Sequence, residues 1–286
     1  MKTDGRTRTC GLIGNPVEHT LSPVIHNNLA ENFSHNLVYV PFKVEADRVE
    51  DAVKGAYALN ILGCNVTVPH KSAVIPFLKD IDPMAEKIGA VNTLVRIEGG
   101  YKGYNTDLPG LYRAMVSDGV IIEGAQVLLL GAGGVARAVA MLMADKGAKR
   151  IVIINRTVSK AQALADEISK FYPEVILEAA GFEDLSRFNE KGAYLAIQAT
   201  NIGMYPNCDE TLIEDTSFYD AVHTGYDMIF NPADTRFMKL VREHGGKAYN
   251  GLKMLLYQGI IAYELWNNVQ VSDSQAEIIF DKMKQR

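Results

Sequence analysis

The chain has 286 residues, of which 48% are hydrophobic and 22% charged, and its net charge is −5. That describes an ordinary folded protein long enough for two domains, and it offers no bulk electrostatic case for binding nucleic acid or an anionic membrane. Three dispersed cysteines, Cys10, Cys64 and Cys208, lack metal-ligand spacing and point to reduced thiols in a cytoplasmic protein without a metal centre. The start, MKTDGRTRT, is polar with no apolar signal segment behind it, and no run approaches the roughly 18 apolar residues of a membrane helix.

Residues 9–13 read as a first strand that ends in the turn Gly14-Asn15-Pro16. Ser22 followed by Pro23 reads as a helix start, with serine as N-cap and proline in the first helical position. Val24, Ile25, Asn28, Leu29 and Phe33 form the face behind it. The Thr20 and Ser22 hydroxyls beside a helix start also suit a carboxylate, although capping is the commoner job. Residues 37–42 form a second strand and 46–59 a helix with a solvated charged face. A third strand at 61–68 runs into Pro69-His70-Lys71-Ser72. Lys71 thus follows a strand end, where parallel-sheet proteins place their chemistry, though a lysine there is also commonly just exposed. A short helix at 85–89 precedes a strand at 90–95, which Gly99-Gly100 turns back into 101–104. Asn105-Thr106-Asp107 opens the next helix, and by position alone Asp107 is a capping or dipole residue.

The stretch 126–143 organises the rest of the chain. Residues 127–130 are an unbroken Val/Leu run, expected to be buried on both faces of a parallel sheet. The run stops at Gly131-Ala132-Gly133-Gly134, after which Val135, Ala138, Val139, Leu142 and Met143 recur at helical spacing. Gly131, Gly133 and Ala136 fit the G-x-G-x-x-G/A dinucleotide fingerprint, in which small residues admit a pyrophosphate to the helix N-terminus; a purely structural glycine turn is the alternative. Residues 151–154 form the next strand, ending in Asn155-Arg156-Thr157 before a helix through Leu164 and Ile168. An NAD site usually carries an acid about 20 residues past the glycines, to hold the ribose hydroxyls. Here Arg156 stands at that strand end, with Thr157, Ser159 and Lys160 beyond it and no acid before Asp166. A permanently charged planar fork suits a 2′-phosphate, which favours NADP; a plain surface arginine is the alternative. Residues 175–179, 193–199 and 221–229 supply further strands, with the polar loop 200–204 between the last two. A helix at 235–243 and a short strand at 247–249 come next. Asn250-Gly251 opens a long helix carrying Leu252, Leu255, Leu256, Ile260, Tyr263 and Trp266, with Gln258 on another flank. Ser272 and Gln275 form a capping-box pattern before the last helix.

Several blocks follow one another along the chain: Gly14-Asn15-Pro16 with Leu21-Ser22-Pro23, Asn65-Val66-Thr67-Val68-Pro69-His70-Lys71, Gly89-Ala90-Val91-Asn92-Thr93-Leu94 and Asn105-Thr106-Asp107. They continue with Gly131-Ala132-Gly133-Gly134, Asn155-Arg156-Thr157, Tyr226-Asp227-Met228, Gly251-Leu252, Met254-Leu255 and Gln258. Together they resemble the shikimate dehydrogenase family over nearly the whole chain. The resemblance implies an α/β protein: an N-terminal substrate domain, residues 1–108, rejoined by the C-terminal helices of 251–286, and a Rossmann-type NADP-binding domain at 109–250. It implies reversible, NADP-dependent reduction of 3-dehydroshikimate to shikimate in aromatic amino acid biosynthesis, by a monomer or homodimer. On this analogy Lys71 and Asp107 are the catalytic pair, and Thr20, Ser22, Asn65, Thr67, Asn92, Asp107, Tyr226 and Gln258 line the substrate site. Thr20 and Ser22, with Tyr226 as a further donor, hold the carboxylate. The cofactor set is Gly131, Ala132, Gly133, Gly134, Val135, Asn155, Arg156, Thr157, Lys160, Thr200 and Gly251. His70 reads as a neighbour of Lys71, since adjacent residues point differently. Thr20 stands where the family commonly has serine, which adds a methyl beside the carboxylate and bears on shikimate against quinate. The alternatives are a quinate/shikimate dehydrogenase of broader specificity, a methylene-tetrahydrofolate dehydrogenase type of enzyme with similar architecture, and a non-catalytic NADP-binding sensor.

Overall fold

The computed structural model describes residues 3–285. The chain divides into two units, one taking the residues up to Arg113 and again from Met254, the other Ala114–Lys253.

In the first unit, β1 (Arg8–Gly14) is buried from Cys10 onward. α1 (Ser22–Asn32) turns Ile25, His26, Leu29 and Ala30 inward. β2 (Leu37–Lys43) lies at the sheet edge, with Leu37 and Tyr39 buried and Pro41, which has no N–H for a ladder, exposed. Then come α2 (Val49–Ala58), β3 (Gly63–Val66), β4 (Asp80–Ile81), α3 (Pro83–Ile88), β5 (Thr93–Ile97), β6 (Gly100–Tyr104) and α4 (Asp107–Ser117). The strand order is β2-β1-β3-β5-β6-β4. β1 runs parallel to β2 and β3, whereas β5 is antiparallel to β3 and β6. A core of Ile13, Val53, Cys64, Val66, Leu94 and Tyr101 holds this sheet to its helices.

Two expectations need correction. Ser22 is not a side-chain cap: α1 begins at Ser22 itself, with Leu21 in the cap position. Thr20 lies two residues upstream and competes for the local backbone, so its Oγ1 accepts from the Ser22 N–H at 3.2 Å and its hydroxyl donates to Ser22 Oγ at 3.1 Å. The strand expected at 61–68 is shorter, because after Val66 the chain turns, with the His70 N–H donating to the Thr67 carbonyl at 2.9 Å.

In the second unit, β7 (Gln126–Leu130) has all of Val127–Leu130 buried, as an unbroken apolar run requires. The chain continues through α5 (Gly134–Asp145), β8 (Arg150–Ile154), α6 (Val158–Ser169), β9 (Ile176–Ala180), β10 (Tyr194–Gln198), β11 (Val222–Asp227), α7 (Arg236–Glu243) and β12 (Lys247–Tyr249). All six strands are parallel, in the order β12-β11-β10-β7-β8-β9. Counted from β7 this is the 3-2-1-4-5-6 order of a Rossmann sheet, whose switch point falls between β7 and β10. Val135, placed on the helical face by its spacing, is exposed; α5 packs through Ala136, Val139, Ala140 and Met143. Val135 sits in the first turn, about 100° around the axis from Ala136, and so looks away from the sheet.

The chain rejoins the first unit in α8 (Leu252–Asn267), which buries Leu256, Ile260, Tyr263 and Trp266. The Trp266 indole N–H donates to the Leu94 carbonyl at 2.9 Å. α9 (Asp273–Lys284) starts with the expected capping box: Ser272 Oγ accepts from the Gln275 N–H at 3.3 Å, and Gln275 Oε1 accepts from the Ser272 N–H at 3.0 Å. No helix among the described residues is long and apolar enough to cross a membrane.

Candidate active site

On the first unit, the turn after β3 and the start of α4 bring Lys71 and Asp107 together. Lys71 Nζ donates to Asp107 Oδ2 at 2.6 Å. Their side chains are 34% and 25% exposed, so a small molecule can reach them while water is partly excluded. Asn92, just before β5, donates from Nδ2 to the other carboxylate oxygen at 2.9 Å. Its Oδ1 accepts from the Thr106 N–H at 2.7 Å, which fixes the amide orientation from hydrogen bonding alone.

The polar chain runs deeper. Thr93 Oγ1 donates to Asn92 Oδ1 at 3.1 Å and accepts from Asn65 Nδ2 at 3.1 Å. Asn65 Oδ1 accepts from the Tyr39 hydroxyl at 2.9 Å and from His26 Nε2 at 3.0 Å. His26 is fully buried and stacked on Tyr39, with ring centroids 4.2 Å apart. Burial pushes its imidazole down to about 3, with the Asn65 hydrogen bond pulling the other way, so it is neutral and serves Asn65 as a donor. Sequence reasoning misses Tyr39, His26, Thr93 and Thr106. Two of them lie in strands and one on a buried helix face, where their residue types read as ordinary core.

Other candidates lie around this chain. Thr20 and Ser22 pair with each other at the start of α1. Thr67 is half-buried in the turn after β3. Gln258 is buried on α8, its Nε2 donating to the Leu255 carbonyl at 2.8 Å. The backbone of α4 comes so near that a Cβ on Gly110 would sit 2.7 Å from the Gln258 nitrogen. His70 turns away from the pair: it is buried, with Nε2 donating to the Val44 carbonyl at 2.7 Å.

On the second unit, Gly131–Val135 follow β7, Asn155–Lys160 follow β8, Thr200 follows β10, and Tyr226 and Asp227 end β11. These are the carboxyl ends of four adjacent parallel strands, the edge at which doubly wound sheets bind nucleotides. Gly131 has φ +112°, a conformation side chains avoid, and a Cβ there would stand 2.8 Å from Thr200 Cγ2. Thr200 itself is fixed by donating to Gln198 Oε1 at 2.9 Å and accepting from the Ile202 N–H at 3.2 Å. Gly251 donates its N–H to the Ile229 carbonyl at 3.0 Å, beside the end of β11. Tyr226 is buried, its ring 6.1 Å from that of Tyr249.

This end of the sheet fits a dinucleotide. α5 starts at bare glycine backbone, with no side-chain cap, no acid in its first turn, and open space where Cβ atoms on Gly133 and Gly134 would stand. Its N–H groups are therefore available to a pyrophosphate. α6 likewise has no side-chain cap and no acid in its first turn, and Arg156 and Lys160 are exposed beside it. Asn155 Nδ2 donates to the Thr157 carbonyl at 2.9 Å and shapes that turn. A cationic, uncapped helix start suits a 2′-phosphate.

A Rossmann sheet with a glycine turn at its switch point, joined to an α/β unit carrying a buried polar chain, defines a dinucleotide-dependent oxidoreductase architecture. Comparison with known proteins narrows the class. Residues 12–94 match the shikimate dehydrogenase substrate binding domain, and residues 116–188 match shikimate / quinate 5-dehydrogenase. A relative named shikimate dehydrogenase (NADP(+)), from Caldanaerobacter subterraneus subsp. tengcongensis, is 42% identical over 266 residues, covering 93% of this chain and 94% of its own. Among solved structures, shikimate 5-dehydrogenase from Listeria monocytogenes in complex with shikimate and NAD superposes with a TM-score of 0.87 at 31% identity, over 100% of this chain and 98% of that one. The Thermus thermophilus enzyme in complex with NADP(H) and shikimate gives a TM-score of 0.83 at 30% identity, over 97% and 100%. The chain belongs to the shikimate dehydrogenase family.

Proposed function

We propose that this protein is an NADP-dependent shikimate dehydrogenase that reversibly reduces 3-dehydroshikimate to shikimate, working in the cytoplasm as a monomer or homodimer. The observation that carries the reading is the half-buried Lys71–Asp107 pair, held at 2.6 Å and braced by Asn92. NADP(H), when bound, supplies the hydride in one direction and takes it up in the other. Gly131–Val135, Asn155–Thr157, Lys160, Thr200 and Gly251 would hold it, with Arg156 and Lys160 as the cations that would meet a 2′-phosphate. The first unit carries the substrate. Lys71 points its ammonium at the carbonyl oxygen and gives it a proton as negative charge develops there; in reverse, its neutral amine takes the hydroxyl proton. Asp107 fixes where that nitrogen stands. An acid/base so placed contributes ~10²–10⁴ in rate. Thr20 and Ser22 take the carboxylate, while Asn65, Thr67, Asn92, Asp107 and Gln258 read the ring hydroxyls.

The test is a two-by-two grid of initial rates, shikimate or quinate with NADP or NAD. A dominant shikimate–NADP cell supports the proposal. A dominant quinate or NAD cell keeps the reaction class and overturns the specificity. Silence in all four from folded protein overturns the reaction.

A further inference from the structure

We propose that the Thr93 hydroxyl is a positioning group for this reaction, coupling the buried Tyr39–Asn65 pair to the carboxylate that aims Lys71. The inference deepens the proposed function and rests on its reading of Lys71 and Asp107.

Donors and acceptors along the chain leave little freedom. Asn92 Oδ1 can accept two hydrogen bonds. The Thr106 N–H takes one, at 2.7 Å, and the Thr93 hydroxyl at 3.1 Å takes the other. Thr106 Oγ1 lies 3.2 Å from Thr93 Oγ1, a contact in which either hydroxyl can donate, and 3.1 Å from Asn92 Oδ1. Thr93 Oγ1 also accepts from Asn65 Nδ2 at 3.1 Å. It thus accepts from Asn65 and donates to Asn92, with Thr106 beside it, in a residue with no exposed surface. Upstream, the Tyr39 hydroxyl and His26 Nε2 both donate to Asn65 Oδ1, so the Asn65 amide can only point its Nδ2 toward Thr93. The bonds run one way: Tyr39 to Asn65, Asn65 to Thr93, Thr93 to Asn92, Asn92 to Asp107 Oδ1. Chains of this sense polarise each member and hold the last acceptor in one orientation. Asp107 is thus left with Oδ2 facing Lys71. Without the Thr93 hydroxyl, Thr106 Oγ1 at 3.1 Å can still donate to Asn92 and Asn65 Nδ2 keeps the Asn92 carbonyl at 3.3 Å, but the side-chain link from Asn65 to the Asn92 amide is cut.

The experiment is a double-mutant cycle of Thr93→Val and Tyr39→Phe, with Thr93→Ser as control, each checked for fold by circular dichroism and thermal melting. Thr93→Val keeps the shape and loses the hydroxyl; kcat is expected to fall roughly tenfold, through misplacement of the reacting groups. Thr93→Ser keeps the hydroxyl and loses a methyl; kcat is expected to stay within about twofold. Tyr39→Phe alone is expected to cost roughly threefold, and nothing further in the Thr93→Val background, because the chain is already broken. A purely packing role gives the reverse: Val active, Ser impaired, and losses that multiply in the double variant. That result overturns the inference while leaving the proposed function standing. Wild type silent in the whole substrate–cofactor grid overturns both.

Discussion

Asp227 ends β11 with no exposed surface, accepting from the Thr235 hydroxyl at 2.6 Å and from the Ile229 N–H at 2.9 Å. Those bonds favour the carboxylate, but burial outweighs them and pushes the group up from 3.8 to about 6. The folded chain therefore holds this proton more tightly than the unfolded one. Stability from this group is fully present below pH ~4, falls as pH rises toward ~6, and is level above. The gap corresponds to roughly 3 kcal/mol. Asp227→Asn mimics the protonated form: its Oδ1 can keep the Ile229 N–H and its Nδ2 can donate to Thr235 Oγ1. The variant should match wild type near pH ~3.5 and exceed its stability by up to roughly 3 kcal/mol above pH ~7. Urea unfolding of both proteins, followed by far-ultraviolet circular dichroism across this range, measures the difference and cancels the other carboxylates. A difference that does not change with pH would refute the reasoning.

Three further outcomes are expected. Lys71→Met should lower kcat by ~10²–10⁴ with substrate KM within several-fold; loss of binding instead would place Lys71 among anchoring groups. Gly110→Ala must force α4 off Gln258, which overpacking places at ~1–3 kcal/mol, so its urea midpoint should drop and substrate KM rise; an unchanged midpoint contradicts the close contact. Arg156→Gln should raise KM for NADP roughly 10- to 100-fold and leave NAD nearly unaffected, and equal effects on both would rule out a phosphate role.

The elements of the fold were legible because their signals are local. The Val127–Leu130 run, the glycine turn and the Ser272/Gln275 box each depend on neighbours within a few residues, and each appears where its pattern put it. Ser22 misled because Ser-Pro signals a helix start without revealing that Thr20 would take the local bonds. Val135 misled because periodicity identifies a helix better than it selects which first-turn residue faces the sheet. Lys71, Asn92 and Asp107 stood out through their motifs. Asn65 stood out the same way; the residues around it did not: His26, Tyr39, Thr93 and Thr106 come from four separate segments, and a threonine in a strand looks the same whether its hydroxyl is idle or bonded.

Trp266 is the single tryptophan of the chain and belongs to the first unit, its indole bonded to the Leu94 carbonyl and 5.0 Å from the His26 ring. Intrinsic emission is therefore a private signal of that unit, while ellipticity sums over both. Excited at the indole band, the protein reports disturbance of the wall that seats His26 and Tyr39 and is blind to the helices of the nucleotide-binding sheet. Where the two units melt separately, the stabilisation expected of Asp227→Asn registers in ellipticity and leaves the emission midpoint unmoved, so one sample read in two channels assigns a stability change to its unit.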